Sequence, residues 1–336
     1  KRNRKGPLGR MSPLLISLQQ LSKQFYLYDQ TTNEKGVVDA VNAVGLDILS
    51  GETLGLVGES GCGKSTLGRC ILRLIEPTAG KIIYENQNLL KIPEKNFKPY
   101  RKKMQIVFQD PFASLNPRKS IRFILEEPLI IHGMSNSQDR KKRLDETIEK
   151  VGLTQEDLKR YPHEFSGGQR QRIGIARALI LKPDFIVCDE PVSALDVSIQ
   201  AQILNLLIDL QQEMKLTYLF ISHDLSVVKH ISNRIAVMYL GRIVETAPTD
   251  EIFENPLHPY TMALLSSIPV PDPTLKKDRL ILEGDPPSPL NPPTGCRFHT
   301  RCPQQMDICS KEIPDRKAIT SEHFVYCHLY NDLGDS

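Results

Sequence analysis

Residues 53–66 read TLGLVGESGCGKST and contain the strongest indication of the architecture of the chain. The run Thr53–Val57 is apolar and rich in strand-forming residues, glycines follow at 58, 61 and 63, and residues 65–75 have helical periodicity. A strand, a G-x-x-x-x-G-K-[ST] turn and a helix in this order bind phosphate, because the loop N–H groups and the helix N-terminus converge on an anion. The sequence therefore predicts a P-loop at residues 58–66.

The side chains of this loop have distinct expected roles. Lys64 is predicted to reach the β- and γ-phosphates of a nucleotide, and the Ser65 hydroxyl to bind Mg²⁺. Cys62 is interpreted as a small loop residue rather than as a redox group. The other predicted nucleotide-binding positions of the loop are Gly58, Glu59, Ser60, Gly61, Gly63 and Thr66.

Two adjacent carboxylates end a second apolar run, DFIVCDE at residues 184–190. At the carboxyl end of a parallel strand, both acids project into the crevice that holds the phosphate loop. Asp189 is predicted to coordinate Mg²⁺. Glu190 is placed to orient or deprotonate an attacking water molecule.

The first two-thirds of the chain alternates short apolar runs with amphipathic helical stretches, which predicts an α/β fold with a largely parallel sheet. Residues 14–21 and 41–48 are predicted to be peripheral strands, and residues 235–245 a hairpin. Residues 121–182 are predicted to be mostly helical. After residue 254 the chain is rich in proline, which indicates a loop-rich extension over residues 255–336.

The charge of the chain is concentrated at one end. Lys and Arg total 43 and Asp and Glu total 40, a formal net charge of +3, yet residues 1–10 contain basic residues and no acid. A nucleic-acid protein needs a basic face, so this class is disfavoured. Residues 1–13 are predicted to be a disordered or non-native basic tail, with Met11 as an alternative start. The most apolar stretch, residues 201–221, contains charged residues and is not predicted to span a membrane.

Four further motifs carry a resemblance to ATP-binding-cassette (ABC) ATPases. Residues 165–171, FSGGQRQ, resemble the family's signature motif, with phenylalanine in place of the usual leucine. Residues 107–111 resemble its Q-loop, residues 193–196 its D-loop, and residues 221–224 its switch-histidine segment.

The motifs occur in the family's order, and the resemblance covers residues 14–254. It implies an ABC-type P-loop NTPase with a RecA-like core sheet, an antiparallel β subdomain and an α-helical subdomain at about residues 112–182. ATP and Mg²⁺ are the cofactors it implies.

The resemblance also implies the hydrolytic residues. Glu190 would activate water, His223 would contact the γ-phosphate and align Glu190, and Lys64 would hold the phosphates. Gln109 would sense the Mg²⁺ and water site and report to a membrane partner.

Other residues are implied to act across a head-to-tail pair of subunits. Ser166, with Gly167, Gly168 and Gln169, would bind the γ-phosphate of ATP held on the opposite subunit. Asp196 would lie across the dimer seam. Phe25 matches the adenine-stacking aromatic of the family, and core packing is the alternative for this residue.

The last part of the chain resembles the extension found in ATPases of oligopeptide and dipeptide ABC importers, on the evidence of NPLHPYT at 255–261 and GCRFHTRCP at 295–303. The amino-acid sequences of the motifs resemble those of the F-type ATPase subunit of these importers. This implies a D-type ATPase partner, two transmembrane permease subunits, a peptide-binding protein, and a place on the cytoplasmic face of a bacterial inner membrane. The alternatives are an importer of nickel or glutathione, and a soluble ABC ATPase acting on nucleic acid or ribosomes.

Four of the seven cysteines lie in this extension: Cys296, Cys302, Cys309 and Cys327. None forms the tight pair typical of zinc sites. Four thiolates suit a 4Fe–4S cluster, which related importer ATPases carry, and the alternatives are zinc or reduced cysteines without metal. His299 and His328 flank these cysteines and are alternative ligands.

Overall fold

The computed structural model describes residues 13–28, 35–268, 282 and 284–331. All but the last residue of the predicted basic tail lies outside these ranges. Strands and helices are numbered separately along the chain. One sheet is antiparallel, with the order β2-β1-β4-β5, and consists of β1 (Leu14–Tyr28), β2 (Lys35–Leu49), β4 (Ala79–Tyr84) and β5 (Gln87–Asn88).

The second sheet has eight strands in the order β11-β12-β10-β9-β3-β8-β7-β6. They are β3 (Thr53–Val57), β6 (Met104–Val107), β7 (Phe185–Asp189), β8 (Thr217–Ile221), β9 (Arg234–Tyr239), β10 (Arg242–Pro248), β11 (Arg316–Ala318) and β12 (Phe324–Tyr326). The five strands from β9 to β6 are parallel. Every residue of β3, β7 and β8 is buried, as expected for central strands covered on both faces.

Helices pack against the main sheet and against one another. They are α1 (Lys64–Ile71), α2 (Lys98–Lys103), α3 (Pro111–Ser114), α4 (Ile121–Ile131), α5 (Ser137–Lys150), α6 (Gly167–Leu179), α7 (Val197–Met214), α8 (Leu225–Ile231), α9 (Thr249–Glu254) and α10 (Pro259–Ser266). The buried faces of α4, α5 and α6 meet in one apolar cluster that includes Leu125, Leu144 and Ile173. None of the helices in the described part of the chain is long and apolar enough to cross a membrane.

The α/β fold with a largely parallel core is confirmed, as are the strand at Thr53–Val57, the strand that ends at Asp189, and the hairpin of β9 and β10. Helix α1 ends at Ile71, four residues before the predicted end at residue 75. The chain turns at Arg73, which has a φ of 50°. Its guanidinium donates to the carbonyl oxygens of Leu89 at 2.9 Å and Ile92 at 2.7 Å. The helical periodicity of residues 65–75 does not predict this tertiary contact.

The C-terminal extension is joined to the main sheet. In β12, Val325 pairs with Glu245 of β10. The buried His323 ring lies 2.8 Å from the carboxylate of Glu245 through Nε2 and 3.1 Å from that of Glu251 through Nδ1. The boundary between residues 254 and 255 stays a prediction, and the sheet extends across it.

Candidate functional site

The phosphate loop curls between β3 and α1, as predicted. Gly63 has a φ of 105°, and a Cβ atom there would lie 2.0 Å from the carbonyl oxygen of Ala40, so only glycine fits. The buried Lys64 ammonium donates to the carbonyl oxygens of Gly58 at 2.8 Å and Glu59 at 2.9 Å. The ammonium group of Lys64 is therefore bound by carbonyl oxygens of the phosphate loop itself.

Cys62 also lies inside the loop, with its Sγ 3.8 Å from Lys64 Nζ. Burial raises the pKa of the Cys62 thiol more than the charge of Lys64 lowers it. A buried neutral thiol is unreactive, which supports the interpretation of Cys62 as a packing residue.

The predicted magnesium ligands lie side by side. The Ser65 hydroxyl, in the first turn of α1, donates to Asp189 Oδ1 at 2.6 Å. Asp189 ends β7 and is 1 % exposed, and its other oxygen is 3.6 Å from Arg69 Nη2. A hydroxyl and a carboxylate are hard oxygen donors of the kind that Mg²⁺ takes in nucleotide sites, so the pair fits that ion.

Glu190 occupies the centre of the predicted hydrolytic group. Its Oε2 accepts a hydrogen bond from Gln109 Nε2 at 3.0 Å and lies 3.3 Å from His223 Nδ1. Gln109 follows β6 and His223 follows β8, the two strands that flank β7. Adjacent parallel strands end at the same edge, so three residues distant in sequence meet there.

The backbone of Glu190 is itself unusual. Its φ is 47°, in the left-handed region that non-glycine residues rarely adopt. Its N–H donates to the carbonyl oxygen of Ile221 at 3.0 Å, which ties it to the end of β8. Strained backbone of this kind concentrates at functional sites.

The signature residues form a helix start that packs on the D-loop segment. Ser166 caps α6 in a reciprocal pair of hydrogen bonds with Gln169, at 3.3 and 3.0 Å. A Cβ at Gly168 would lie 2.5 Å from Ile199 of α7, and one at Gly167 would lie 3.3 Å from Leu195. Both hydrogen bonds stay within the cap, and neither joins it to the phosphate loop of the same chain.

The remaining residues predicted to contact the nucleotide or the second subunit are exposed or half-buried. Asp196 begins α7 and is exposed, without a side-chain cap to the helix. Phe25 is half-buried on β1, with Lys23 Nζ 5.0 Å from the centre of its ring. In the loop, Ser60 and Gly61 are exposed, and Thr66 is half-buried.

The four cysteines of the extension are free thiols in one region. The N–H of Cys296 donates to the carbonyl oxygen of Cys309 at 2.8 Å. Burial raises the pKa of Cys327 to about 12, and the other three thiols add to this shift. Thiols can shift one another's pKa at distances too long for them to coordinate one metal ion. Within the described residues, no group of three or more Cys, His, Asp or Glu side chains is placed to hold a metal ion.

The two histidines suggested as alternative ligands make other contacts. His299 Nδ1 lies 2.8 Å from the carbonyl oxygen of Cys296. Both ring nitrogens of His328 have protein partners, Glu312 at 3.0 Å and Asn331 at 3.1 Å.

Sequence reasoning missed two residues of the extension that contact the phosphate loop. Arg301 Nη1 lies 3.0 Å from a carboxylate oxygen of Glu59, and the Tyr260 hydroxyl accepts the N–H of Glu59 at 2.9 Å. Both residues stand in the segments quoted above for the extension. No spacing rule links them to a loop about two hundred residues earlier, so no sequence signal could have identified these contacts.

Comparisons with known proteins agree with this geometry. The family profile described as "ABC transporter" matches residues 41–193, and that described as "Oligopeptide/dipeptide transporter, C-terminal region" matches residues 244–309. Among solved structures, the dimeric ATP-binding cassette MJ0796 bound to ADP and phosphate has a TM-score of 0.62 and 29 % identity, covering 70 % of this chain and 99 % of that one.

Curated relatives match over most of their length. The oligopeptide transport ATP-binding protein AppF of Bacillus subtilis is 54 % identical, over 94 % of this chain and 98 % of AppF. A putative peptide import ATP-binding protein of Brucella ovis is 52 % identical, over 93 % of this chain and 97 % of the relative. The chain therefore belongs to the family of ATP-hydrolysing, ATP-binding subunits of oligopeptide and dipeptide ABC transporters.

Proposed function

We propose that this chain is the motor subunit of a bacterial peptide importer, in which ATP binding and hydrolysis drive transport through separate transmembrane subunits. The observation that carries the mechanism is the convergence of Gln109, Glu190 and His223 beside the Ser65–Asp189 pair. The names of the curated relatives support peptides as the cargo.

The chain's own residues divide the work of hydrolysis. Lys64 and the loop N–H groups would bind the phosphates, and Ser65, Asp189 and Gln109 would hold Mg²⁺, which would offset phosphate charge when bound. Glu190 accepts a proton from the attacking water. His223, at 3.3 Å from Glu190, orients that carboxylate, and Gln109 holds it from the other side.

We also propose that the complete ATP site is shared between two subunits. Ser166, Gly167, Gly168 and Gln169 would bind the γ-phosphate on the opposite subunit, with Asp196 at the seam and Phe25 beside the adenine. Ser166 and Gly167 are exposed at the N-terminus of α6, and a helix N-terminus attracts phosphate. The opposite subunit in this proposal is a D-type ATPase, and the pair lies on the cytoplasmic face of the inner membrane.

Purification of the tagged chain from its own membranes tests this assembly. We expect a second ABC ATPase and two hydrophobic permease chains to copurify, and a peptide-loaded binding protein to stimulate ATP hydrolysis severalfold. A symmetric homodimer without membrane chains would contradict the assembly. Stimulation by a nickel complex or by glutathione, but not by peptide, would contradict the cargo.

For the extension, we propose that Cys296, Cys302, Cys309 and Cys327 form a metal site. Their shared region and soft sulfur donors support this set, and the absence of tight pairs in their spacing favours a 4Fe–4S cluster over zinc. Binding requires the thiol side chains to turn toward one centre and to lose their protons. A bound metal would fasten a segment that has little core of its own.

Anaerobic purification tests the composition of this site. We expect iron and acid-labile sulfide in the wild-type chain, and a loss of most of both in Cys302→Ser. Cys70→Ser, which changes a buried thiol of α1, is the control and should keep them. Stoichiometric zinc without sulfide would contradict the cluster, and absence of both metals would contradict the site.

A further inference from the structure

Two residues of the C-terminal extension contact Glu59 of the phosphate loop. The Tyr260 hydroxyl, from α10, accepts the backbone N–H of Glu59 at 2.9 Å. Arg301 Nη1 lies 3.1 and 3.0 Å from the two carboxylate oxygens of the same residue. The extension thus contacts both the backbone and the side chain of one loop position.

These two contacts are built on a buried aromatic cluster. The ring of Tyr260 lies 4.6 Å from that of Tyr239 in β9, and the Phe298 ring is 5.2 Å from Tyr239 and 5.4 Å from Tyr260. Tyr260 is fully buried, and the side chain of Arg301 is only 8 % exposed. The ion pair is therefore held in one geometry, unlike a mobile surface pair, which contributes little.

A second link runs through the turn between β9 and β10. Arg297 donates to the carbonyl oxygen of Leu240, and its Nη2 lies 2.9 Å from Asp39. Gly241, which follows Leu240, donates its N–H to the carbonyl oxygen of Cys62 in the phosphate loop at 2.8 Å. The extension therefore supports the loop on two sides.

The charge of Glu59 gives the first link a consequence for nucleotide binding. Glu59 is the only acid among residues 58–66, and its own carbonyl oxygen accepts a hydrogen bond from Lys64 at 2.9 Å. A carboxylate carried by a phosphate-binding loop repels the phosphate chain unless a cation compensates it. Arg301 is the cation that contacts it.

We propose that Arg301 and Tyr260 are positioning residues for ATP binding. Arg301 neutralises Glu59, Tyr260 holds its backbone, and the extension thereby sets the affinity of the phosphate loop for ATP. This rests on the proposed assignment of residues 58–66 as the site for the ATP phosphates.

A charge-rescue experiment tests the proposal in the full chain, with the transporter subunits that copurify with it. The Kd for MgATP and the KM and kcat of ATP hydrolysis are measured for wild type, Arg301→Gln, Arg301→Lys, Glu59→Gln and the Arg301→Gln/Glu59→Gln double variant. Arg301→Gln should raise Kd and KM about tenfold, with kcat within about twofold of wild type. Arg301→Lys should retain most of the affinity, and the double variant should return to within about threefold of wild type, because the unpaired charge is gone.

Tyr260→Phe provides an independent test that does not remove a charge. It deletes the acceptor of the Glu59 N–H while keeping the ring, and should raise KM about fivefold. Arg316→Gln is the matched control. Arg316 is in the same extension, but its guanidinium stacks 3.7 Å from the centre of the Phe324 ring, away from the loop, so KM should not change.

The outcomes separate the possible explanations. An unchanged KM in Arg301→Gln overturns the proposal, as does a double variant that is as impaired as the single one, because packing rather than charge would then be responsible. Should Arg301→Gln fail to fold, as judged by its melting curve, an unchanged KM in Tyr260→Phe overturns the proposal. A wild-type chain that does not bind MgATP would overturn the assignment of the ATP site itself.

Discussion

Substitution of Glu190 by glutamine is expected to lower ATP hydrolysis at least 100-fold while leaving MgATP binding within about threefold of wild type. General-base catalysis of this kind contributes roughly 10²–10⁴-fold. The amide has nearly the shape of the carboxylate and can still contact Gln109 and His223, which lie at 3.0 and 3.3 Å from Glu190 Oε2. It cannot accept the proton of the attacking water.

Turnover and nucleotide affinity must be measured on the same preparation. Glu213→Gln is a suitable control, because Glu213 is an exposed acid in α7 that pairs with Lys150 at the surface. It should hydrolyse ATP at the wild-type rate. A Glu190→Gln protein that retains more than about a tenth of wild-type turnover would refute the role of Glu190 as the base. Loss of ATP binding together with turnover would show that Glu190 acts in binding.

Substitution of Phe298 by alanine is expected to give the largest loss of stability among the residues discussed here. Phe298 is 1 % exposed and packs against the rings of both Tyr239 and Tyr260. Truncation of a buried phenylalanine costs about 3–5 kcal/mol, since it removes apolar contacts and leaves a cavity. In a chain of this size, 3 kcal/mol corresponds to about 4 °C in the melting temperature.

Melting in the absence of nucleotide measures this effect without interference from ligand binding. Ile313→Ala serves as the control, because Ile313 lies in the same extension and is 56 % exposed. It should shift the midpoint by less than about 1 °C. A Phe298→Ala protein that melts like Ile313→Ala would indicate that the extension is not fastened to the main sheet through this aromatic cluster.

Much of the site was predictable because its parts are local patterns on buried strands. The run Thr53–Val57 with its following glycines predicts a strand and a turn, and the acids after Phe185 predict a polar strand end. Parallel strands place their carboxyl ends at one edge, so the meeting of Glu190 and His223 follows from the strand assignment. The early end of α1 was not predictable, because the turn at Arg73 depends on carbonyl groups of a distant segment.

The α/β fold, the phosphate loop and the motif around each hydrolytic residue are readable from the sequence, because each is a pattern within a short stretch of chain. How the extension is attached and what it contacts become visible only in the folded chain. Glu59 and Arg301 are 242 positions apart, and Val325 reaches Glu245 only because β12 extends the sheet beyond β10. Contacts of this kind depend on how whole elements pack, and no local periodicity encodes them.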